Sequence, residues 1–198
     1  MEISENGKRA LKILFSDFLT SYNAYSIRKK LRISQVGSLK LLRSLNDKGL
    51  VTSQKMGNAI FYKPNLSNGY VLKLLELIYS DYSSFSSFVK GWIYDLQPLS
   101  QDTKAIFLFG SILTKEKAAG DVDVCFILKS PQDYSKLQRK VNELNKKNRL
   151  NIHPLFLTEG SFREKLKEKE APLIDLVKMC VVVYGQELFV GVLKDVQS

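Results

Sequence analysis

The sequence has few of the cysteine and histidine residues that bind structural metal ions, and it lacks the long apolar runs of membrane-spanning proteins. It contains two cysteines and one histidine, which are too few and too widely spaced for a tetrahedral zinc site. Cys125 and Cys180 lie in apolar segments, so we expect both to be buried free thiols. No apolar run approaches the roughly 20 residues that a transmembrane helix needs.

Other familiar signatures are also missing. The first dozen residues lack the apolar core of a signal peptide, and the chain has no P-loop, no His-Glu-x-x-His and no Gly-x-Ser-x-Gly. Apolar residues make up 44% and charged residues 25% of the 198, which are ordinary globular values. We therefore expect a soluble, cytoplasmic protein with no membrane partner and with one large domain or two small ones.

Acidic residues are scarce in the first third of the chain. Residues 1–66 carry 12 Lys and Arg against 4 Asp and Glu, whereas residues 67–198 carry 18 against 16. A basic excess confined to one small domain is typical of nucleic-acid binding. The alternative is a solvated basic surface that serves solubility alone.

The basic segment reads as three helices followed by a hairpin. Apolar spacing predicts helices over 7–21 and 24–31, and Ser34 caps a third helix that Gly49 ends. Val36, Leu39, Leu42 and Leu45 form its predicted apolar stripe. Strands over 50–54 and 60–64 flank a turn at Met56-Gly57-Asn58. With its "LLRSLNDKGLV" before the hairpin, this segment (7–64) resembles a winged helix-turn-helix domain.

That resemblance implies a recognition helix over Ser34–Lys48 and a wing over Thr52–Tyr62. A helix fits the major groove, and its polar face reaches base edges. Gln35 and Ser38 lie in the half from which base contacts usually come. The expected phosphate contacts, which position the protein without reading sequence, are Lys40, Arg43, Lys55 and Lys63. The alternative is a winged helix used for protein contact.

Residues 67–82 read as a helical linker, and a break at 79–87 separates two helices. Its leucines and valine have helical spacing, which usually means core. An apolar linker helix can also form a dimer interface, and winged-helix proteins are often two-fold symmetric. A homodimer is therefore an open possibility.

The segment 105–128 contains the candidate metal-binding and phosphate-binding residues. A buried strand over 105–109 is broken by Gly110-Ser111, and Asp121-Val122-Asp123 opens a second strand. Residues two apart in a strand lie about 7 Å apart on one face, so Asp121 and Asp123 converge as a Mg²⁺ ion bound to phosphates requires. Gly110 lets a phosphate approach the backbone, and the Ser111 hydroxyl can donate to it.

This segment has the order strand, Gly-Ser, spacer, Asp-x-Asp and strand, and it is followed by a helix over 134–147 and a strand over 150–157. This order resembles the minimal nucleotidyltransferases of the polymerase-beta type. The resemblance extends over about 83–189. It implies that Asp121 and Asp123 hold Mg²⁺ or Mn²⁺ around a nucleoside triphosphate, that Gly110 and Ser111 cradle its phosphates, and that an acceptor hydroxyl receives a nucleoside monophosphate.

One expected residue is missing. Active members of that family carry a third carboxylate on the next core strand, but here that strand has no acid before Glu159. Alternation places Asn151 and His153 on one face, so either can occupy the position. His153 would then be a metal ligand or a base, or a strand residue without a chemical role.

These patterns predict an α+β protein with a winged helix (1–66), a helical linker (67–82) and a nucleotidyltransferase-fold mixed sheet flanked by helices (83–198). Three functions stay open. One is a DNA-binding regulator that senses a nucleotide, and another is an active nucleotidyltransferase acting on a protein, as antitoxin-like members do, or on a nucleic acid or small molecule. The third is a dimeric scaffold without activity.

Overall fold

The computed structural model describes residues 2–197 and confirms a mixed α+β protein with two sheets. The chain divides into two compact units, the first ending at Ile78 and the second spanning Tyr79–Val196. The division lies inside the predicted linker. No helix among the described residues is long and apolar enough to cross a membrane.

The first unit consists of helices around a small antiparallel sheet with the strand order β1-β3-β2. Its elements are α1 (Glu5–Ser16), β1 (Tyr22–Asn23), α2 (Ala24–Leu31), α3 (Gln35–Asp47), β2 (Val51–Met56), β3 (Ala59–Pro64) and most of α4 (Gly69–Ser80).

Local hydrogen bonds set the ends of these helices. Asn23 and Ser26 form a reciprocal capping box at the start of α2, and the Ser34 side chain accepts the Gly37 N–H at the start of α3. Gly49 follows α3 with φ +67°, a conformation that glycine adopts without strain. The predicted N-cap and the predicted stop are therefore both confirmed.

Two expectations for this unit are wrong. Helix α1 ends at Ser16 rather than near residue 21, because Asp17 accepts hydrogen bonds from Thr20 and Tyr22 and holds a turn. Leu19 is consequently exposed. In α3, Leu42 and Leu45 of the predicted stripe are buried as expected, but Val36 is 61% exposed and Ser38 is buried instead.

The second unit holds a four-stranded sheet with the order β6-β5-β4-β7. Its elements are α5 (Ser87–Leu96), β4 (Thr103–Phe109), α6 (Ile112–Lys115), β5 (Val122–Leu128), α7 (Tyr134–Lys147), β6 (Ile152–Thr158), α8 (Glu159–Lys167), α9 (Ala171–Met179), β7 (Val181–Tyr184) and α10 (Gln186–Val196), with 3₁₀ turns at Gln97–Asp102, Glu116–Ala118 and Pro131–Asp133.

The sheet is mixed because β5 and β6 run parallel while β4 is antiparallel to both β5 and β7. Parallel neighbours need a long crossover, which α7 provides. Both faces of the central strands are buried. Ile106 and Leu108 of β4, with the even-numbered residues of β5 such as Val124 and Phe126, face a core that includes α5 and α7. Phe107, on the other face, packs against Phe162 of α8 and Phe189 of α10.

Helix α8 has one buried face and one charged face. The helix spans Glu159–Lys167, and its Phe162 and Leu166 are fully buried. Its charges still form pairs, since Arg163 lies 3.4 Å from Glu159 one turn away. The segment is therefore amphipathic and covers one face of the sheet.

Candidate metal centre and nucleic-acid interface

The register of β5 and β6 brings an acid and the histidine side by side. Asp123 and His153 are direct partners in this parallel pair, so their side chains leave the sheet on the same face. The His153 Nδ1 lies 3.3 Å from the Asp123 Oδ1. The backbone pairing alone thus places these groups together, although 30 residues separate them in sequence.

Asp121 completes a group of three. It lies just before β5, and one ligand-type atom from each of Asp121, Asp123 and His153 falls within 4.8 Å of the other two. Asp121 and His153 are exposed, whereas Asp123 is half-buried. Among residues 2–197 this is the one such group of three or more acidic, histidine or cysteine side chains. Two carboxylates and an imidazole are donors that fit a divalent cation.

The same pairing determines where Asn151 and His153 lie. Asn151 precedes β6, and its backbone carbonyl accepts the Val122 N–H at the start of the parallel ladder. His153, two residues further on, is the residue that reaches Asp123. The sequence identified both candidates but not the choice, because the choice depends on the strand register.

Gly110 is required where β4 ends. Its φ is +79°, and an added Cβ would overlap the carboxylate of Asp123. Its neighbour Phe109 pairs with Asp123 across the β4–β5 ladder, so the glycine backbone lies directly against the acid. Any side chain at position 110 would push the Asp123 carboxylate away.

Ser111 begins the short helix α6 but does not cap it through its side chain. Its backbone carbonyl accepts from Thr114 and Lys115, while the hydroxyl makes no bond to the start of the helix. The hydroxyl can therefore donate to another group. Lys115 and Lys117, on the connection to Asp121, are exposed and add positive charge that the sequence interpretation passed over.

A groove of about 450 Å³ lies in the second unit between α5 and the start of β6. Phe88 and Trp92 form its aromatic part, and Lys117, Arg149 and Asp95 form its charged part. Lys117 lies four residues before Asp121 in the sequence, and Arg149 lies four residues before His153. The lining of this groove includes none of Gly110, Ser111, Asp121, Asp123 and His153. In the sequence, only the Asn148-Arg149 pair before β6 indicates this groove.

In the first unit, α3 presents a polar and basic surface. Gln35, Lys40 and Arg43 are exposed. Ser38 is the exception and corrects the prediction of a base contact, because it is completely buried and its hydroxyl donates to the Ala24 carbonyl at 2.8 Å. Val36 is exposed, so the accessible surface of α3 includes an apolar side chain.

The hairpin of β2 and β3 lies beside that surface. Lys55 and Lys63 are both exposed, and a cleft of about 270 Å³ runs between the hairpin and α3, lined by Gln35, Arg43 and Ile60 among others. Tyr25 is 54% exposed at the start of α2, with the Lys29 ammonium 4.7 Å from its ring centroid. The sequence analysis missed Tyr25 because one aromatic residue in a short amphipathic helix carries no periodic signal.

Comparison with protein-family models, with curated proteins and with solved structures finds no match to this chain.

Proposed function

We propose that the protein is a DNA-binding regulator in which a winged helix is joined to a nucleotidyltransferase-type domain that binds a divalent metal and a nucleoside triphosphate. The observation that carries the metal and nucleotide part is the convergence of Asp121, Asp123 and His153 beside Gly110. The DNA part rests on the exposed basic surface of α3 and the hairpin.

The order of elements in the first unit supports the DNA-binding role. Three helices precede a hairpin, and the third helix buries one face while Gln35, Lys40 and Arg43 remain accessible. With Lys55 and Lys63 on the hairpin, cations lie on both elements that a winged helix applies to a duplex. The basic excess of residues 1–66 supplies the long-range attraction to phosphates.

Selection from a genomic fragment library followed by binding titrations tests this role. The logarithm of the association constant should fall linearly with the logarithm of the salt concentration, with a slope of about −0.9 for each phosphate contact. Lys40→Ala and Arg43→Ala should each weaken binding and flatten that slope by about one unit. Lys146→Ala, an exposed helical lysine of the second unit, is the matched control and should change neither. A salt-independent interaction would instead indicate that the winged helix contacts a protein.

The second unit has the parts that a bound nucleotide needs. The Asp121 and Asp123 carboxylates would hold the cation, and a cation supplies charge neutralisation for the phosphates. The Ser111 hydroxyl and the Gly110 backbone would contact the outer phosphates.

Binding of each nucleoside triphosphate with Mg²⁺ or Mn²⁺ tests the nucleotide role. Asp121→Asn combined with Asp123→Asn should abolish metal-dependent binding. Arg139→Ala, an exposed cation on α7, is the control. If the wild-type protein binds no nucleotide, this half of the proposal fails while the DNA-binding half stands.

A second candidate function is transfer of a nucleoside monophosphate to a protein, a nucleic acid or a small molecule. The observation that favours it is the position of His153, which stands beside Asp123 where a third carboxylate is expected. The His153 imidazole would accept the proton of an acceptor hydroxyl. Pyrophosphate release that depends on Asp121, Asp123 and His153 would establish transfer, whereas binding without release would favour the sensing role.

We further propose a homodimer formed through α4, which exposes Tyr70 and Leu77 seven residues apart on one side. A dimer of winged helices would read two half-sites. Sedimentation equilibrium of the wild type and of Leu77→Lys tests this proposal. A wild-type monomer at tens of micromolar protein would refute it.

A further inference from the structure

The three side chains of the candidate metal centre differ in kind from an all-carboxylate site. Two oxygen donors, on Asp121 and Asp123, meet one nitrogen donor, on His153. Ligand atoms bound to one ion at about 2.0–2.2 Å with angles of 90–110° lie about 2.9–3.5 Å apart. The 3.3 Å between the His153 Nδ1 and the Asp123 Oδ1 falls within that range.

Charge sets how many ions the group can hold. Two carboxylates and a neutral imidazole carry a charge of −2, which balances one divalent ion, whereas a third carboxylate would help to hold a second. The side chain of His153 is 75% exposed, so its ring can turn to place a nitrogen toward an ion. Three protein donors leave coordination positions open for water or for a phosphate oxygen.

The nitrogen donor determines which ion fits. Mg²⁺ prefers oxygen ligands and keeps much of its water shell, whereas imidazole also binds first-row transition ions, for which affinity rises from Mn²⁺ through Co²⁺ to Cu²⁺ and is lower again for Zn²⁺ than for Cu²⁺. We propose that Asp121, Asp123 and His153 form a mixed nitrogen–oxygen site that binds a single Mn²⁺, Co²⁺ or Zn²⁺ ion in preference to Mg²⁺. The inference deepens the metal part of the proposed function and does not depend on nucleotide or DNA binding.

Titrations of the full-length, untagged protein with each of these ions, without nucleotide, test the proposal. We expect one ion per chain and a preference for Mn²⁺ over Mg²⁺ of at least about tenfold. His153→Ala should weaken Mn²⁺ binding by at least the 10- to 100-fold that loss of a supporting metal contact costs. His153→Asp should shift the preference toward Mg²⁺. Because position 153 is exposed, both variants should keep the fold, which circular dichroism checks.

Pulsed electron paramagnetic resonance of the Mn²⁺ complex gives a direct reading of the ligand. His153 is the only histidine in the chain, so an imidazole nitrogen coupling in the untagged protein can come from no other residue. The coupling should be present in the wild type and absent in His153→Asp.

The outcomes distinguish a failure of this inference from a failure of the proposed function. Binding that requires Asp121 and Asp123, with no nitrogen coupling and equal Mn²⁺-to-Mg²⁺ ratios in the wild type and His153→Asp, would overturn the inference and leave the metal part of the proposed function intact. A wild-type protein that binds none of the four ions would overturn both.

Discussion

Replacing Gly110 by alanine should displace the Asp123 carboxylate and lower the stability of the second unit. The φ of +79° is strained for a residue with a side chain, which costs about 1–2 kcal/mol. The lower entropy of the unfolded alanine chain offsets about 0.4–1 kcal/mol of that. The new Cβ must also displace the Asp123 carboxylate, and a forced side-chain shift in a packed site adds about 1–3 kcal/mol. The net loss in unfolding free energy should be about 1–5 kcal/mol.

Gly120 is the matched control, because it lies in the same connection, has no positive φ and has open space around its Cα. Gly120→Ala should leave stability unchanged or raise it slightly. Denaturant unfolding gives the free energies, and Mn²⁺ titration of the folded variants reports the position of Asp123. If Gly110→Ala unfolds and binds metal as Gly120→Ala does, then the close approach of Gly110 to Asp123 is not what requires glycine there.

Three further results are expected. Ser38→Ala should destabilise the first unit by about 1–2 kcal/mol, because a buried hydroxyl bond is lost; equal denaturation midpoints would show that the bond contributes nothing. Bonds from Lys136 and Lys140 lower the pKa of Asp102, so its contribution to stability is full above the ordinary carboxyl pKa and disappears as the pH falls through the lowered value. Asp102→Asn should therefore weaken the protein at pH 7 and match the wild type in acid, and an unchanged pH profile would contradict this. Burial raises the pKa of the Cys125 thiol, so iodoacetamide at pH 8 should modify it only after denaturation, as mass spectrometry would detect; rapid native labelling would refute its burial.

Much of the local structure could be predicted because local patterns determine it. Ser34 and Gly49 mark the ends of α3 through capping chemistry and a positive φ, and both are readable from single residues. The two strands around Gly110 and the helix Tyr134–Lys147 follow equally from apolar runs and spacing.

What escaped prediction depends on partners distant in sequence. Ser38 is buried because a carbonyl of α2 accepts its hydroxyl, and the leucines of α3 fit two helical phases until that partner is known. His153, rather than Asn151, joins the acids because of the register between β5 and β6. The basic groove near Arg149 likewise forms only when α5 packs beside the sheet.

If Asp123 and His153 hold an ion as proposed, the parallel pairing of β5 with β6 also ties the supply of that ion to the lifetime of the protein. Asp123 and His153 meet only when the α7 crossover has docked both strands, so an ion held by both binds the folded unit and not the unfolded chain. At a free ion concentration 100 times the dissociation constant, such binding stabilises the folded state by about 2.7 kcal/mol. In a cell with proteases, depletion of the ion would then lower the amount of the protein itself.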